Sequence, residues 1–582
     1  MSTHPSSRPC GRFGLRVAAA AALGVAVATA PLTPAHRVAA RTATASDRCL
    51  AVPGTGAGVP FARNFNPIGN NGLSIPLIYE PLLYQTPYTH KPVPALATSY
   101  KWINNGKTLV YTIRKGVTWS DGVPMTAKDV LFSYRYIDAA NGWDKRGGGG
   151  TATGNASINV TGYRLIGQNQ FAVDFRTVDS FYFWGLAENF HIIPEHIWSK
   201  IAPADASKNT NPDPVGTGPF TVIRSFNGQE YTLGRNAHYW QAGKPYISCV
   251  GVLNLSGSDA TGLALARGDI DWANNPIQDA QKAYSSHDPA HFHAYFPRAD
   301  SMPNGFYYND QLYPWSLPGF RKALSVAIDR QRIVREATFG HGSVTDGLGF
   351  NWMFPGWMDP KLGAESTALA AYNPSLARQM LTKLGFTYKG SDLIDPHGHP
   401  VSVDMHVVSS NTEWLSTLHI ISDNWKAIGV NANVVLDSTF GAWFDPATRA
   451  TIAHLMWTYA ARDTPFQYFY AELSHDTFAP PGEQTFSGNW ARWSNSNATT
   501  LINQWRGTLD TGVQHQLADK LERIMLQDFP YIPVYVPSAY YQVSTRYFTG
   551  WPTPGHWYAG FSVPNTGDLS GGVQVLINVK PI

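Results

Sequence analysis

The side chains that could do chemistry are scattered along the chain and form no reactive constellation. His397-Gly398-His399 sets two imidazoles at a spacing that could hold a transition metal. Asp395-Pro396 before it and Pro400 after it give the stretch turn chemistry, so no metal is expected. Gly106-Lys107-Thr108 ends like a phosphate-binding loop, but Lys101 stands where that motif requires its first glycine. Asn104-Asn105-Gly106 reads instead as a hairpin turn. The chain has no Gly-x-Ser-x-Gly elbow, no His-Glu-x-x-His, no Cys-x-x-Cys and no Gly-x-Gly-x-x-Gly after a strand. No two carboxylates are marked by position as an acid and base pair. Neither a catalytic residue nor a cofactor is expected.

The elements that would position a site are easier to read. Leu109, Tyr111 and Ile113 alternate with Val110, Thr112 and Arg114, the pattern of a half-buried strand. Lys115-Gly116 and Ser120-Asp121-Gly122 supply turns on either side of Trp119, and both Trp119 and Asp121 are read as turn architecture. Thr126 and Asp129 have capping-box spacing, and Val130, Leu131, Tyr134 and Ile137 follow on one helical face. Further on, Phe320, Leu324, Ala327 and Ile328 share a helix face, and Asn373-Pro374 to Leu384-Gly385 is a second helix. Val401 to Val407 alternates as a strand. A helix with Ile420, Ile421, Trp425 and Ile428 then ends at Gly429, before another strand at Val430 to Leu436. Helices alternating with strands predict an α/β fold.

At 582 residues the chain exceeds a single core. Its 43% hydrophobic and 15% charged residues exclude a disordered polyelectrolyte. A net charge of +3 with no basic stripe argues against a nucleic-acid partner. Arg8, Arg12 and Arg16 precede an apolar run from Val17 to Ala30, too short to span a bilayer and built like a secretory signal. Thr33-Pro34-Ala35 and Val38-Ala39-Ala40 both offer a cleavage site, and the signal is taken as residues 1–35. Cys10 leaves with it. Cys49 and Cys249 remain in an oxidising compartment, where one disulfide is permitted.

Tyr79-Glu80-Pro81-Leu82-Leu83, Pro94-Ala95-Leu96-Ala97, Gly116-Val117-Thr118-Trp119-Ser120-Asp121-Gly122 and Thr126-Ala127-Lys128-Asp129-Val130 resemble, in order and spacing, the extracellular solute-binding proteins (family 5) of peptide-type ABC transporters. The resemblance continues through His191 to Trp198, Val215 to Phe220 and Phe529 to Tyr535, and covers nearly the whole exported chain. It implies a two-lobed periplasmic-binding-protein-like α/β fold, type II, in the large cluster C form with a third small inserted lobe. The expected division is an arm at 36–58, the first lobe at 59–78, 191–295 and 526–582, the inserted lobe at 79–190, and the second lobe at 296–525. It also implies capture, not catalysis: an exported monomer closes about its ligand and delivers it to a membrane permease with its ATPase. Family members in single-membrane bacteria carry a lipidated Cys after a Leu-x-Ala/Gly run. Here Ser46-Asp47-Arg48 precedes Cys49, which speaks against a lipid anchor.

The ligand turns on Trp457 to Phe466. In peptide-binding relatives a Trp at this place is followed three residues later by an Asp that neutralises the α-ammonium group, since a buried ammonium without a partner is costly. Trp457 matches, but the third residue on is Ala460 and the first acid is Asp463. The resemblance implies ligand contacts at Trp457, Tyr459, Asp463, Asn66, Asn70, Tyr79 and Trp490. It leaves a peptide as the expected ligand, an oligosaccharide stacked on aromatics as the alternative, and an exported hydrolase as a remote third reading.

Overall fold

The computed structural model describes residues 48–54, 60–68, 74–85, 91–141, 159–277, 279–297, 303–349, 354, 356–409, 411–438, 453–457, 464–480, 483, 488–560, 563 and 571–582. The expected signal lies outside them. Three large buried cores organise the chain. One gathers Ile78, Trp198, Leu233, Trp272 and Leu576; the second Phe306, Leu324, Met405, Trp425 and Leu521; the third Leu109, Trp119, Tyr134 and Phe171.

The first core is covered by a four-stranded sheet in the order Leu50–Gly54, Cys249–Asn254, Glu230–Arg235, Phe220–Phe226. Leu50–Gly54 runs parallel to Cys249–Asn254, and Cys49 is disulfide-bonded to Cys249 across a separation of 200 residues. This corrects the expected arm at 36–58, because Leu50–Gly54 is a paired strand whose Leu50 and Val52 are buried. Composition alone misses it. Ala51 and Asp271 exchange backbone and carboxylate bonds of 2.8 and 2.9 Å, so the strand is held by partners more than 200 residues away.

The small layer begins and ends at one point: the Ile192 N–H donates to the Glu80 carbonyl at 3.1 Å, which brings its entry and exit together. Its sheet runs Ala97–Ile103, Thr108–Ile113, Gln170–Phe175, Val160–Leu165. Asn104 and Asn105, both with positive φ, and Gly106 make the hairpin turn. Thr108–Ile113 is buried on both faces rather than half-buried. The strand is central, and Val110 lies between Lys101 and Ala172 on the neighbouring strands. The Asp129 carboxylate accepts from the Thr126 N–H at 2.8 Å, and Thr126 Oγ1 accepts from the Lys128 N–H at 3.2 Å, starting the helix Ala127–Asn141.

The second core surrounds a six-stranded mixed sheet in the order Ser343–Val344, Ile532–Val536, Asn304–Tyr307, Ala453–Trp457, Ser402–Val408, Asn431–Asp437. Helices Pro318–Val326, Pro374–Lys383 and Thr412–Lys426 bury their apolar faces, and Asn373 and Asn411 cap the last two. Gly385 and Gly429 end two of the expected helices with left-handed φ of 89° and 90°. Ile532–Val536 belongs to this sheet, so the chain changes sheet after Val536 and not at the expected residue 526. Tyr541–Ser544 then joins Trp272–Ala273 and Phe292–Tyr295 in a three-stranded sheet beside the first core.

The small layer also touches the second core's layer. Arg506 Nη2 lies 2.7 Å from Asp179 Oδ2, with both side chains buried, and the Phe181 ring packs 4.7 Å from Tyr470.

Because the Cys49–Cys249 bond closes a very long loop, its loss is expected to lower the unfolding free energy by about 2–5 kcal/mol. Denaturant titration of Cys49→Ser against the unsubstituted protein measures this; equal midpoints would remove the disulfide's structural role.

Candidate functional site

Two segments carry the chain between the sheets. One follows Phe292–Tyr295 toward Asn304–Tyr307, and the other joins Ile532–Val536 to Tyr541–Ser544. They meet where the Ala539 N–H donates to the Pro297 carbonyl at 2.9 Å. Beside them an open cleft is lined by, among others, Ile277, Phe339, His341, Glu413, Ser416 and Tyr540. Ile277 follows the strand Trp272–Ala273 of the three-stranded sheet. Glu413 and Ser416 start the helix that follows the strand Ser402–Val408, and Tyr540 sits on a crossing segment.

Glu413 is 9% exposed. Tyr535 Oη donates to its Oε1 at 2.5 Å and Tyr540 Oη donates to its Oε2. Burial pushes the carboxyl above its ordinary range, and the two phenols oppose that shift. The helix start favours a carboxylate through the unpaired N–H groups of its first turn. His341 stacks on Phe296 with ring centroids 3.4 Å apart, and burial lowers the affinity of its imidazole for a proton.

Of the residues expected to contact ligand, Asn66, Tyr79 and Trp490 do not line this cavity. Asn66 is fully buried and braces its own loop: Nδ2 donates to the Ala206 and Asn209 carbonyls at 2.6 and 2.7 Å, and Oδ1 accepts from the Ile68 N–H at 2.8 Å. The Tyr79 hydroxyl is buried in the first core and accepts from Asn211 Nδ2 at 2.6 Å. Trp490 is 2% exposed, within the second core. The backbone of Trp457 ends a strand opposite Asn304, close to a crossing segment. Asn70, Tyr459, Ala460 and Asp463 lie outside the described residues. Trp119 is fully buried, and Asp121 caps its turn and lies 2.8 Å from His196 Nε2. Gly216 and Gly218 bring backbone close to the chain's own Leu77 and Ile78. A Cβ there would meet the Ile78 and Leu77 carbonyls at 1.9 and 2.3 Å. His397 and His399 sit in a turn whose N–H groups both bind Asp395, and among the described residues no cluster of three potential metal ligands occurs.

Glu413 was not anticipated. Its only local signal is the cap at Asn411 before an apolar helical face, which announces a helix start and says nothing of a cavity.

A model of bacterial extracellular solute-binding proteins, family 5, matches residues 91–479. The chain belongs to this family. It is 25% identical over 456 residues to the oligopeptide-binding protein AppA of Bacillus subtilis (strain 168), covering 76% of this chain and 78% of that one. The periplasmic oligopeptide-binding protein of Thermotoga maritima, solved with mannohexaose bound, superposes with a TM-score of 0.74 at 23% identity, covering 92% and 99% of the two chains. The Bacillus subtilis AppA structure, in complex with a nonapeptide, gives 0.69 at 20% identity over the same shares. The fold is therefore the two-lobed α/β fold of family 5 binding proteins. No described helix is long and apolar enough to cross a membrane.

Next to Tyr79, Glu80 joins the small layer to the first core. Its buried carboxylate accepts from Tyr84 Oη at 3.0 Å, Tyr239 Oη at 3.2 Å and Trp240 Nε1 at 2.9 Å, and Arg114 stacks 4.1 Å over the Trp240 ring. Burial nonetheless pushes this carboxyl up from 4.5 to about 7. Folding thus favours its protonated form. The stabilisation is complete below about pH 4.5 and is lost as pH rises through about 7. Compared with Glu80→Gln, the unsubstituted protein should lose about 3 kcal/mol of stability across that window. Denaturation at a series of pH values checks it, and a difference independent of pH would contradict the assignment.

Proposed function

We propose that this chain is the exported substrate-binding component of an ABC importer. It captures a peptide between its two lobes by closure about the paired crossing segments, and presents it to a membrane permease driven by a cytoplasmic ATPase. The observation that carries this reading is the cavity beside the crossings. It is lined by Ile277, which follows the three-stranded sheet, and by Phe339 and Glu413 of the second core's layer. The basic start and short apolar run at residues 1–35 support export by a cleaved signal, and Ser46-Asp47-Arg48 ahead of a disulfide-bonded Cys49 supports an unlipidated form. The division into a first lobe, an inserted lobe and a second lobe follows the three cores, with the return to the first lobe after Val536. The working form is a monomer with neither cofactor nor metal.

Peptide is the favoured ligand because AppA of Bacillus subtilis is an oligopeptide-binding protein and binds a nonapeptide. The second reading is an oligosaccharide. It is favoured by Ala460, which puts no acid three residues after Trp457, and by the mannohexaose-bound relative. Tyr459 and Asp463 are the polar candidates that follow Trp457 in either case.

A thermal-shift screen of unblocked peptides and β-linked oligosaccharides decides between them. A ligand at one hundred times its Kd stabilises the folded protein by about 2.7 kcal/mol, so peptides should raise the melting temperature measurably. Stabilisation by oligosaccharides alone would replace peptide with sugar. The bound ligand should be recovered unchanged, since product formation would make the protein a hydrolase. Asp463→Asn should lower peptide affinity by at least about tenfold if Asp463 holds the peptide amine, and unchanged affinity removes it from that role.

A further inference from the structure

Glu413 differs from the buried acids that carry a counter-charge. Asp271 has Arg48 at 3.4 Å and Asp179 has Arg506 at 2.7 Å, so each carries its own counter-charge. Glu413 is buried to a similar degree, yet among the described residues no Lys, Arg or His forms an ion pair with it. Its two partners are neutral phenols, one on each oxygen. A carboxylate has about four lone-pair positions, so both oxygens keep accepting capacity after Tyr535 and Tyr540 are satisfied.

The setting suits a ligand group. Glu413 lines the open cleft beside the crossing segments. The other walls are apolar or neutral. Ile277 and Phe339 line it, and Phe339, 43% exposed, has a left-handed conformation with φ 53°, uncommon for a bulky residue. Ser416 is exposed one helical turn after Glu413. A desolvated carboxylate without a cation is costly to fold, and a cation bound beside it recovers much of that cost through a charge-assisted bond.

We infer that Glu413 is the anchor for a cationic group of the ligand, an ammonium or a guanidinium, with Tyr535 and Tyr540 fixing its carboxylate and Ile277 and Phe339 receiving the apolar stem. This rests on the binding-protein reading above and narrows its substrate class to ligands bearing a positive charge.

Pentapeptides provide the test. Alanine pentapeptides carrying Arg or its uncharged near-isostere citrulline at each position in turn, and the same peptides with free or acetylated N-termini, are titrated by calorimetry. The unsubstituted protein should prefer Arg over citrulline at one position, or a free over an acetylated N-terminus, by at least about tenfold. The first result assigns a side-chain cation and the second the terminal amine. In Glu413→Gln that ratio should fall to within about twofold. Ser416→Lys places a cation at the cavity without touching the phenol contacts, and should collapse the same ratio even if Glu413→Gln fails to fold. A preference that survives in Ser416→Lys and in folded Glu413→Gln overturns the inference, as does binding of peptides with no charge preference in the unsubstituted protein. If no pentapeptide binds, the peptide reading falls and this inference falls with it.

Discussion

The bond from the Ala539 N–H to the Pro297 carbonyl marks the constraint on which the molecule depends. A chain that builds two sheets and returns to the first must cross between them twice, and here Pro297 at the start of one crossing is bonded to Ala539 of the other. Strands on either side enter different sheets, and Ala539 of the second crossing packs against the first core. Rotation about such a pair changes a few backbone angles and leaves both sheets intact. The cavity sits beside this junction, with Tyr540 of the second crossing in its wall.

Burial of acids is the second theme. Glu80, Glu413 and Glu472 are each held by phenols or an indole, and in each case burial outweighs the hydrogen bonds and raises the carboxyl's proton affinity. Glu80 and Glu472 lie inside packed layers. Glu413 differs only in facing a cavity, and that difference turns a structural carboxylate into one available to a ligand.

Much of the fold was legible in the residues. The capping box at Thr126 and Asp129, the Asn-Asn-Gly hairpin and the helices ended by Gly385 and Gly429 all depend on neighbours within a few positions, which a sequence displays directly. Leu50–Gly54 was not legible, because its strand exists through Cys249–Asn254 and Asp271, some 200 residues distant. The place of Ile532–Val536 is hidden for the same reason: an apolar strand does not carry the address of the sheet it joins. Asn66 and Tyr79 show a further limit. Polar groups near a loop read equally as ligand contacts or braces, and only their partners, the Ala206 and Asn209 carbonyls and Asn211, tell them apart.

The buried pair of Asp179 and Arg506 lies far from the crossings in sequence, and it joins the small layer to the second core's layer. The small layer is itself fastened to the first core where Ile192 meets Glu80. The three layers are thus joined in a ring of contacts. The Asp179–Arg506 joint is the ionic one: two charges taken out of water where the layers meet tie the small layer to its neighbour by electrostatics as well as by packing.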